Sequence, residues 1–348
     1  MTPNDLPLRL ILDSEALVAN WRWLAERAGA PAGAAVKADG YGLGAIEVTR
    51  RLAEAGCRDF FVATWAEADA LGSLPLGAEL SVLHGVREED MAAALASRAR
   101  PALNTPAMVA RWKAAAPGRP CDVMVDTGMN RLGLSVEDAC SGLLDGLEID
   151  LLMSHLACGD EPDNDMNERQ RARFADVAGR IGAARYSLAN SAGACLGAGY
   201  GFDLIRPGLA LYGGVPRAEA EGHVAAVARI EAQILQVRDV PAGDTIGYGA
   251  TFTATRPMRA AILNLGYADG YLRAFAGHGT ACHGEAVLPL VGRVSMDLVA
   301  VDLGSAQAGE GDWLEVDYRL DAAARATGLS QYELLTGLGS RYQRRWTD

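Results

Sequence analysis

Lysine is nearly missing from this chain. Of its 32 basic side chains only Lys37 and Lys113 are lysines, and the remainder are arginines. A composition that supplies ordinary positive charge as arginine has kept one primary amine in the apolar run Ala34-Ala35-Val36-Lys37-Ala38. Arginine neither gives up its proton in a protein nor forms a Schiff base, whereas lysine does both. The position therefore points to a reactive amine; a lysine snorkelling to the surface is the plainer alternative.

Other absences narrow the field. No apolar run approaches the ~20 residues of a membrane span, and the first residues, Met1-Thr-Pro-Asn-Asp-Leu-Pro, have neither the basic start nor the apolar core of a signal peptide. Six cysteines are scattered without a C-x-x-C pair, so metal-ligand spacing is missing and no metal is expected. A reduced, cytoplasmic chain is the simpler expectation. The net charge of −12 disfavours nucleic acids and anionic membranes as partners. Gly40-Tyr-Gly-Leu-Gly and Gly197-Ala-Gly-Tyr-Gly both fail the G-x-G-x-x-G spacing of a dinucleotide fingerprint.

Between about residues 34 and 208, short apolar runs alternate with amphipathic segments. The runs are Ala34–Ala38, Phe60–Thr64, Leu80–His84, Pro101–Asn104, Cys121–Asp126, Ile149–His155, Tyr186–Asn190 and Phe202–Arg206. Helical patterns lie between them, as at Ile46–Ala55, Thr105–Ala115 and Asn164–Ile181. Continuous apolar strands alternating with helices imply a covered parallel sheet. Eight units suggest an α/β fold of the (β/α)₈ TIM-barrel type, with an open doubly wound sheet as the alternative. Beyond about residue 223 the strands Val227–Asp239, Met258–Leu265, Ala286–Val291, Leu298–Leu303 and Trp313–Val316 read as a mostly antiparallel β domain. The expected division is a barrel over 10–223 and a β domain over 224–348, with residues 1–9 joining the latter. An N-terminal strand, Leu8–Leu12, precedes a helix at Ser14–Ala28 and is a candidate to pair with the β domain.

In a barrel, catalytic groups stand just past the C-terminal ends of the strands. Lys37, Arg131, His155, Ser191 and Arg206 with Gly208 all fall there. Backbone N–H groups at Ser191 and Gly208, with the Ser191 hydroxyl, are placed to cradle a phosphate dianion. Arg206, flanked by Leu204-Ile205 and Pro207-Gly208, should be buried and must be paired, with Asp203 as one candidate partner. His155 reads equally as a hydrogen-bonded core residue or as part of the mouth. Tyr248 and Tyr267 sit on glycine-flanked turns of the second domain, and Gly292-Arg-Val-Ser-Met296-Asp297 is a third such turn.

Taken in order, these blocks resemble one family: the alanine racemases, fold-type III pyridoxal-phosphate enzymes. The resemblance rests on Ala35-Val-Lys-Ala-Asp-Gly-Tyr-Gly, Asp126-Thr-Gly-Met-Asn-Arg-Leu-Gly, Asn190-Ser-Ala, Ile205-Arg-Pro-Gly-Leu-Ala-Leu-Tyr-Gly, Tyr248-Gly-Ala-Thr-Phe, Gly266-Tyr-Ala-Asp-Gly and Gly292-Arg-Val-Ser-Met-Asp. It implies that Lys37 binds pyridoxal 5'-phosphate covalently and is one of two catalytic bases. Tyr248 would be the other, supplied by the second subunit of a head-to-tail homodimer. Arg206 would face the pyridine nitrogen, and His155 would lie by the ring, linking Arg206 to Tyr248. Tyr41, Ser191, Gly208, Leu209 and Tyr332 correspond to phosphate contacts, Arg131 and Met296 to contacts with the substrate carboxylate, and Tyr267 and Arg273 to the access channel.

An arginine at the pyridine nitrogen cannot keep that nitrogen protonated, which weakens the ring as an electron sink and favours racemisation over transamination. The D-alanine formed would serve peptidoglycan, or the enzyme would act in alanine breakdown. One departure is Met124, where the family often has a carbamylated lysine pairing with the counterpart of Arg131; a chloride or another acceptor is expected to compensate. Ser295 replaces a frequent cysteine. The alternatives are a cofactor-carrying barrel without a β domain, a basic-amino-acid decarboxylase, which would bring a catalytic cysteine and an acidic partner for the pyridine nitrogen, and a broad-specificity racemase, usually exported.

Overall fold

The computed structural model describes residues 6–347. The described residues divide into two compact units, Leu17–Ala225 and a second built from residues 6–16 together with residues 226–347. Strand β1 (Leu8–Asp13) belongs to the second unit, and the helix Ser14–Ala28 leads from it into the first.

The first unit carries seven parallel strands in chain order: β2 (Ala34–Ala35), β3 (Asp59–Val62), β4 (Glu79–Val82), β5 (Arg100–Leu103), β6 (Cys121–Met124), β7 (Ile149–Met153) and β8 (Arg185–Ser187). Every residue of β3, β5 and β6 is buried, as expected of strands covered outside and filled within. The eighth run, expected over Phe202–Arg206, is not a regular strand. Phe202 turns left-handed at φ 49° and Pro207 has no N–H to give, so only Ile205 forms a bridge, to Ala32. The run nevertheless closes the ring. On one side Asp203 and Arg206 donate N–H groups to Tyr186 and Ala189 (3.0 and 2.8 Å). On the other, the carbonyls of Ile205 and Pro207 accept from Gly33 and Ala35 (both 2.9 Å). An open sheet would leave these two sides apart.

The helices start where the sequence supplies caps. Thr64 and Glu67 form a reciprocal capping box at Trp65–Leu71, and Thr105 caps Pro106–Ala115 with proline in the first turn. Val136–Ala139 is a single helical turn, capped by the Ser135 side chain.

Six strands each place one charged residue at their N-terminal end: Asp59, Glu79, Arg100, Asp122, Asp150 and Arg185. Arg100 binds Asp122 (3.1 Å), Glu79 (2.8 Å) and Asp150 (3.1 Å), while Arg185 binds Asp59 and Asp150 (both 2.7 Å). Four carboxylates thus share two guanidiniums in a floor opposite the barrel mouth. Asp122 is fully buried and accepts from Ser81 (2.5 Å). Burial outweighs these partners and pushes its carboxyl up to about 6.

In the second unit, β9 (Ala228–Val240) is the long strand that others share. The short pair β10 (Thr245–Ile246) and β11 (Phe252–Thr253) follows, then β12 (Met258–Leu263), β13 (Thr280–His283), β14 (Ala286–Val291), β15 (Val299–Asp302), β16 (Trp313–Val316) and β17 (Gln343–Thr347). The order β12-β15-β14-β13-β16-β9, with β9 pairing back onto β12, closes six antiparallel strands on themselves. β1 then pairs antiparallel with β9 and parallel with β17. The strands β13 and β17, and the helices Leu320–Thr327 and Gln331–Thr336, are additions to the expected pattern.

Arg100→Met should cost about 3–5 kcal/mol, because it leaves buried carboxylates unpaired. A carboxyl whose folded pKa is raised binds its proton more tightly folded than unfolded, so the loss should shrink as pH falls from 7 to 5. Urea denaturation of both proteins at the two pH values checks this.

Candidate active site at the barrel mouth

Lys37 stands two residues past β2 and is half-buried. The apolar run was expected to stay extended to Ala38, but the strand stops at Ala35. From Ala38 the chain makes a left-handed turn: Ala38, Asp39, Gly40 and Tyr41 have φ of 52°, 52°, 61° and 54°. Three of these four carry a Cβ, and each costs about 1–2 kcal/mol there. Local bonds offset the strain. Gly40 donates to Val36 (2.8 Å), Gly42 to Ala38 (2.9 Å) and Gly44 to Asp39 (2.8 Å), while the Asp39 carboxylate accepts from the N–H of Ala45 (2.9 Å). Tyr41 is buried and stacks on Tyr212 at 4.8 Å, and the Tyr212 hydroxyl donates to the carbonyl of Ala35 (2.8 Å).

Arg206 is buried, but its partner is not Asp203, which instead caps the N–H of Tyr186 (2.9 Å). The guanidinium donates to the Ser187 hydroxyl and to the Ser154 carbonyl (2.6 Å). These are neutral acceptors, so burial lowers the pKa of Arg206 to about 10, with Asp122 opposing. Sequence reasoning missed Ser187 and Ser154; their positions on or beside neighbouring strands were the available signal.

His155 follows β7 by two residues. Its backbone carbonyl accepts from Gln170 (2.9 Å). Burial, then Arg206, Arg131 and Lys37, push its pKa down to about 3, so the ring is neutral. Lys37 is likewise lowered, chiefly by burial and then by Arg131, against the opposing charge of Glu67. Arg131 therefore bears on both groups, although its side chain is exposed. The loop carrying it is folded back: Asp126 accepts from the N–H groups of Gly128 (2.7 Å) and Arg131 (3.2 Å), and Leu134 bonds both Met124 and Asp126 (2.9 and 2.8 Å). Asn130, beside Arg131, is left-handed at φ 55°. Met124 is buried, and a Cβ on Gly133 would lie 3.2 Å from its side chain. A methionine there packs the loop but offers no charge to Arg131.

The expected phosphate cradle differs in one respect. The Ser191 hydroxyl oxygen already accepts from the N–H groups of Gly208 (3.0 Å) and Ala210 (3.2 Å), so Gly208 serves the fold rather than offering a free donor. Its missing side chain matters more, because a Cβ on Gly208 would overlap the Tyr41 hydroxyl. Ser191 opens the short helix Ser191–Cys195, capped by Asn190, and Leu209 begins the turn Leu209–Tyr212. A pyridoxal phosphate fits this donor set: a partly buried amine of lowered pKa, a fixed guanidinium, and a tyrosine hydroxyl and a serine side by side over a glycine.

The remaining candidates belong to the β unit. Tyr248 is 74% exposed on the tip between β10 and β11, where Gly247 and Gly249 are left-handed. It lines a cavity of about 490 Å³ with Arg238, Arg293 and Ile262 among its walls. Gly266 has no room for a Cβ against the Met296 carbonyl, so the turns bearing Tyr267 and Met296 lie back to back. Buried Asp269 locks them through Arg341, which also binds Asp297 (2.6 Å). Arg273 stacks over Tyr267 at 5.1 Å, and Tyr332 lies on the helix Gln331–Thr336. Met296 and Tyr332 are exposed.

Comparison with known proteins covers both units. The family model described as alanine racemase, N-terminal domain, matches residues 12–216, and that for the C-terminal domain matches 227–346. The chain is 42% identical to an alanine racemase of Acidiphilium cryptum, over 96% of this chain and 97% of that one. It is 44% identical to one of Jannaschia, over 97% and 98%. Among solved structures, an alanine racemase of Bartonella henselae with covalently bound pyridoxal phosphate superposes with a TM-score of 0.91 at 34% identity, over 99% of this chain and all of that one.

The depressed His155 has a direct readout. Because the folded ring refuses a proton that the unfolded one accepts, its share of stability is held above about pH 6.5 and lost as pH falls below it. Ring ¹⁵N shifts should show His155 neutral down to about pH 5, while an ordinary histidine titrates near 6.5. A midpoint near 6.5 for His155 would contradict the electrostatics described.

Proposed function

This chain belongs to the alanine racemase family, and from that premise we propose that it interconverts L- and D-alanine with Lys37 and Tyr248 as its two bases. The observation that carries the reading is the barrel mouth itself, where one of only two lysines stands with Arg206, His155 and Arg131 acting on it or on each other. The protein is a pyridoxal-phosphate-dependent isomerase.

Lys37 would hold the cofactor, with Arg206 toward its ring and Tyr41, Ser191, Leu209 and Tyr332 around its phosphate, where Gly208 makes the room that Tyr41 needs. Bound pyridoxal phosphate supplies an electron-withdrawing ring that acidifies the Cα–H of the attached amino acid. The chain's own groups then have separate tasks. Lys37, whose pKa is lowered chiefly by burial, gives up its proton more readily than a free amine and would take the proton from one face of Cα. Arg206 keeps its charge in place through Ser187 and Ser154, and neutral His155 adds no second positive charge beside it. Arg131 and Met296 receive the substrate carboxylate, and Tyr267 with Arg273 narrows the approach.

A second base is needed on the opposite face, because racemisation returns the proton from the other side. Tyr248 suits that role in a partner subunit. It projects from its own β unit on a glycine-flanked tip, exposed and beside Arg293, so a homodimer with shared sites is part of the proposal. The reaction runs equally in both directions, so the same site serves D-alanine supply for the cell wall and breakdown of D-alanine. A cytoplasmic setting accords with either.

Circular dichroism should follow the decay of L-alanine to the racemate with the loaded protein; decay only for serine or lysine would reassign the substrate. Lys37→Ala should lose the visible absorbance of the attached cofactor together with activity. Mixing Lys37→Ala with Tyr248→Phe subunits should restore about a quarter of normal sites if the two bases meet across a dimer. Absence of recovery in verified heterodimers would put both bases on one chain.

A further inference from the structure

The left-handed turn that begins one residue after Lys37 has an external clasp. Glu67 lies in the first turn of the helix Trp65–Leu71, and its two carboxylate oxygens have different tasks. Oε2 accepts from the N–H groups of Ala63 (2.6 Å) and Thr64 (3.2 Å), fixing the carboxylate at the end of β3. Oε1 reaches across and accepts from the N–H of Ala38 (2.7 Å), the first amide of the turn. The Thr64 hydroxyl completes the arrangement by accepting from the N–H of Glu67 (3.2 Å).

Two features make this clasp more than a helix cap. Capping needs one oxygen only, yet the second is spent on a segment from another β/α unit. The amide it holds is also the hinge between the segment that leaves β2 and four consecutive left-handed residues, three of which resist that conformation. A chain free to relax there would swing the amine of Lys37 away from the mouth. Among the charges acting on Lys37, Arg131 and Arg206 are positive and Glu67 is negative.

We propose that Glu67 is the positioning residue for Lys37: by holding the Ala38 amide it fixes the handedness of the turn, and with it the direction in which the amine leaves the end of β2. The inference rests on Lys37 being the cofactor-bearing base, and its test separates the two.

Hydrogen exchange on the cofactor-loaded protein reads the clasp without reference to turnover. In Glu67→Ala the peptide spanning Lys37 to Gly44 should exchange about tenfold faster or more, while a peptide over Arg100–Leu103 stays as in the parent protein. In the same variant kcat should fall by about ten- to a hundredfold with little change in KM, since a misdirected base loses rate rather than affinity. Glu67→Gln, which keeps the shape of the side chain and satisfies only one side of the clasp, should fall between the two and serves if the alanine variant does not fold. Unchanged exchange at Lys37–Gly44 would overturn the proposal, and so would faster exchange with kcat intact. If the parent protein itself neither absorbs in the visible nor racemises alanine, the reading of Lys37 fails while the exchange result still judges the clasp.

Discussion

The seam of the barrel is the constraint on which the mouth depends. Seven regular strands run in chain order, and the ring is completed by Asp203–Pro207, which bonds to Tyr186 and Ala189 on one side and to Pro31, Gly33 and Ala35 on the other. This irregular run carries Arg206, and the residue it binds last, Ala35, lies two positions before Lys37. Cation and amine are neighbours because the seam makes them so. Had the eighth run been a long regular strand, its alternation would have fixed Arg206 by the pleat alone. Here Pro207 ends the pairing and Gly208 lets Tyr41 approach, so the seam is at once the closure of the fold and the wall of the site.

Charge is arranged along the barrel axis in two tiers. At the floor, four carboxylates share Arg100 and Arg185, with Asp122 fully buried among them. At the mouth, Lys37, Arg131 and Arg206 gather around a neutral His155, with Glu67 as the negative charge acting on Lys37. A mouth of this sign suits a phosphate dianion and a substrate carboxylate, even though the chain as a whole carries −12. Asp122 connects the tiers, since its charge is the one that opposes the effect of burial on Arg206. Buried guanidiniums that donate to a serine hydroxyl and a carbonyl are satisfied as hydrogen-bonding groups but not as charges, and the floor supplies what those neutral partners lack.

The parallel strands were legible because buried β-branched and aromatic runs such as Asp59-Phe-Phe-Val leave a mark that periodicity finds. The candidate residues at the barrel mouth were singled out as departures from that apolar pattern at strand ends. What escaped had no such mark. The early end of β2 falls where Val36 turns out of extended geometry at ψ 12°, ahead of the left-handed Ala38 and Asp39, and these residue types do not announce it. β17, Gln343-Arg-Arg-Trp-Thr, is a polar edge strand whose partner is the chain's other end, so composition pointed away from it. Glu67 was not singled out: the structure shows it in a capping box with Thr64, and its second task depends on a contact between two β/α units that spacing along the chain does not encode. Met124 shows the converse: it was readable as a departure, and the structure adds that it packs against the loop of Gly133.

The placement of β1 bears on how the molecule is made. Leu8, Leu10 and Leu12 are almost completely buried, yet their strand lies between β9 and β17, both of which follow the barrel in the chain. A ribosome delivers β1 before the barrel sequence and its partners only after that whole sequence has emerged. The barrel unit, contiguous from Leu17 to Ala225, is free to fold while translation continues. The apolar strand must wait for β9 and then β17, so the nascent chain carries an unsatisfied sticky segment while the whole barrel sequence emerges, the kind of segment that chaperones hold.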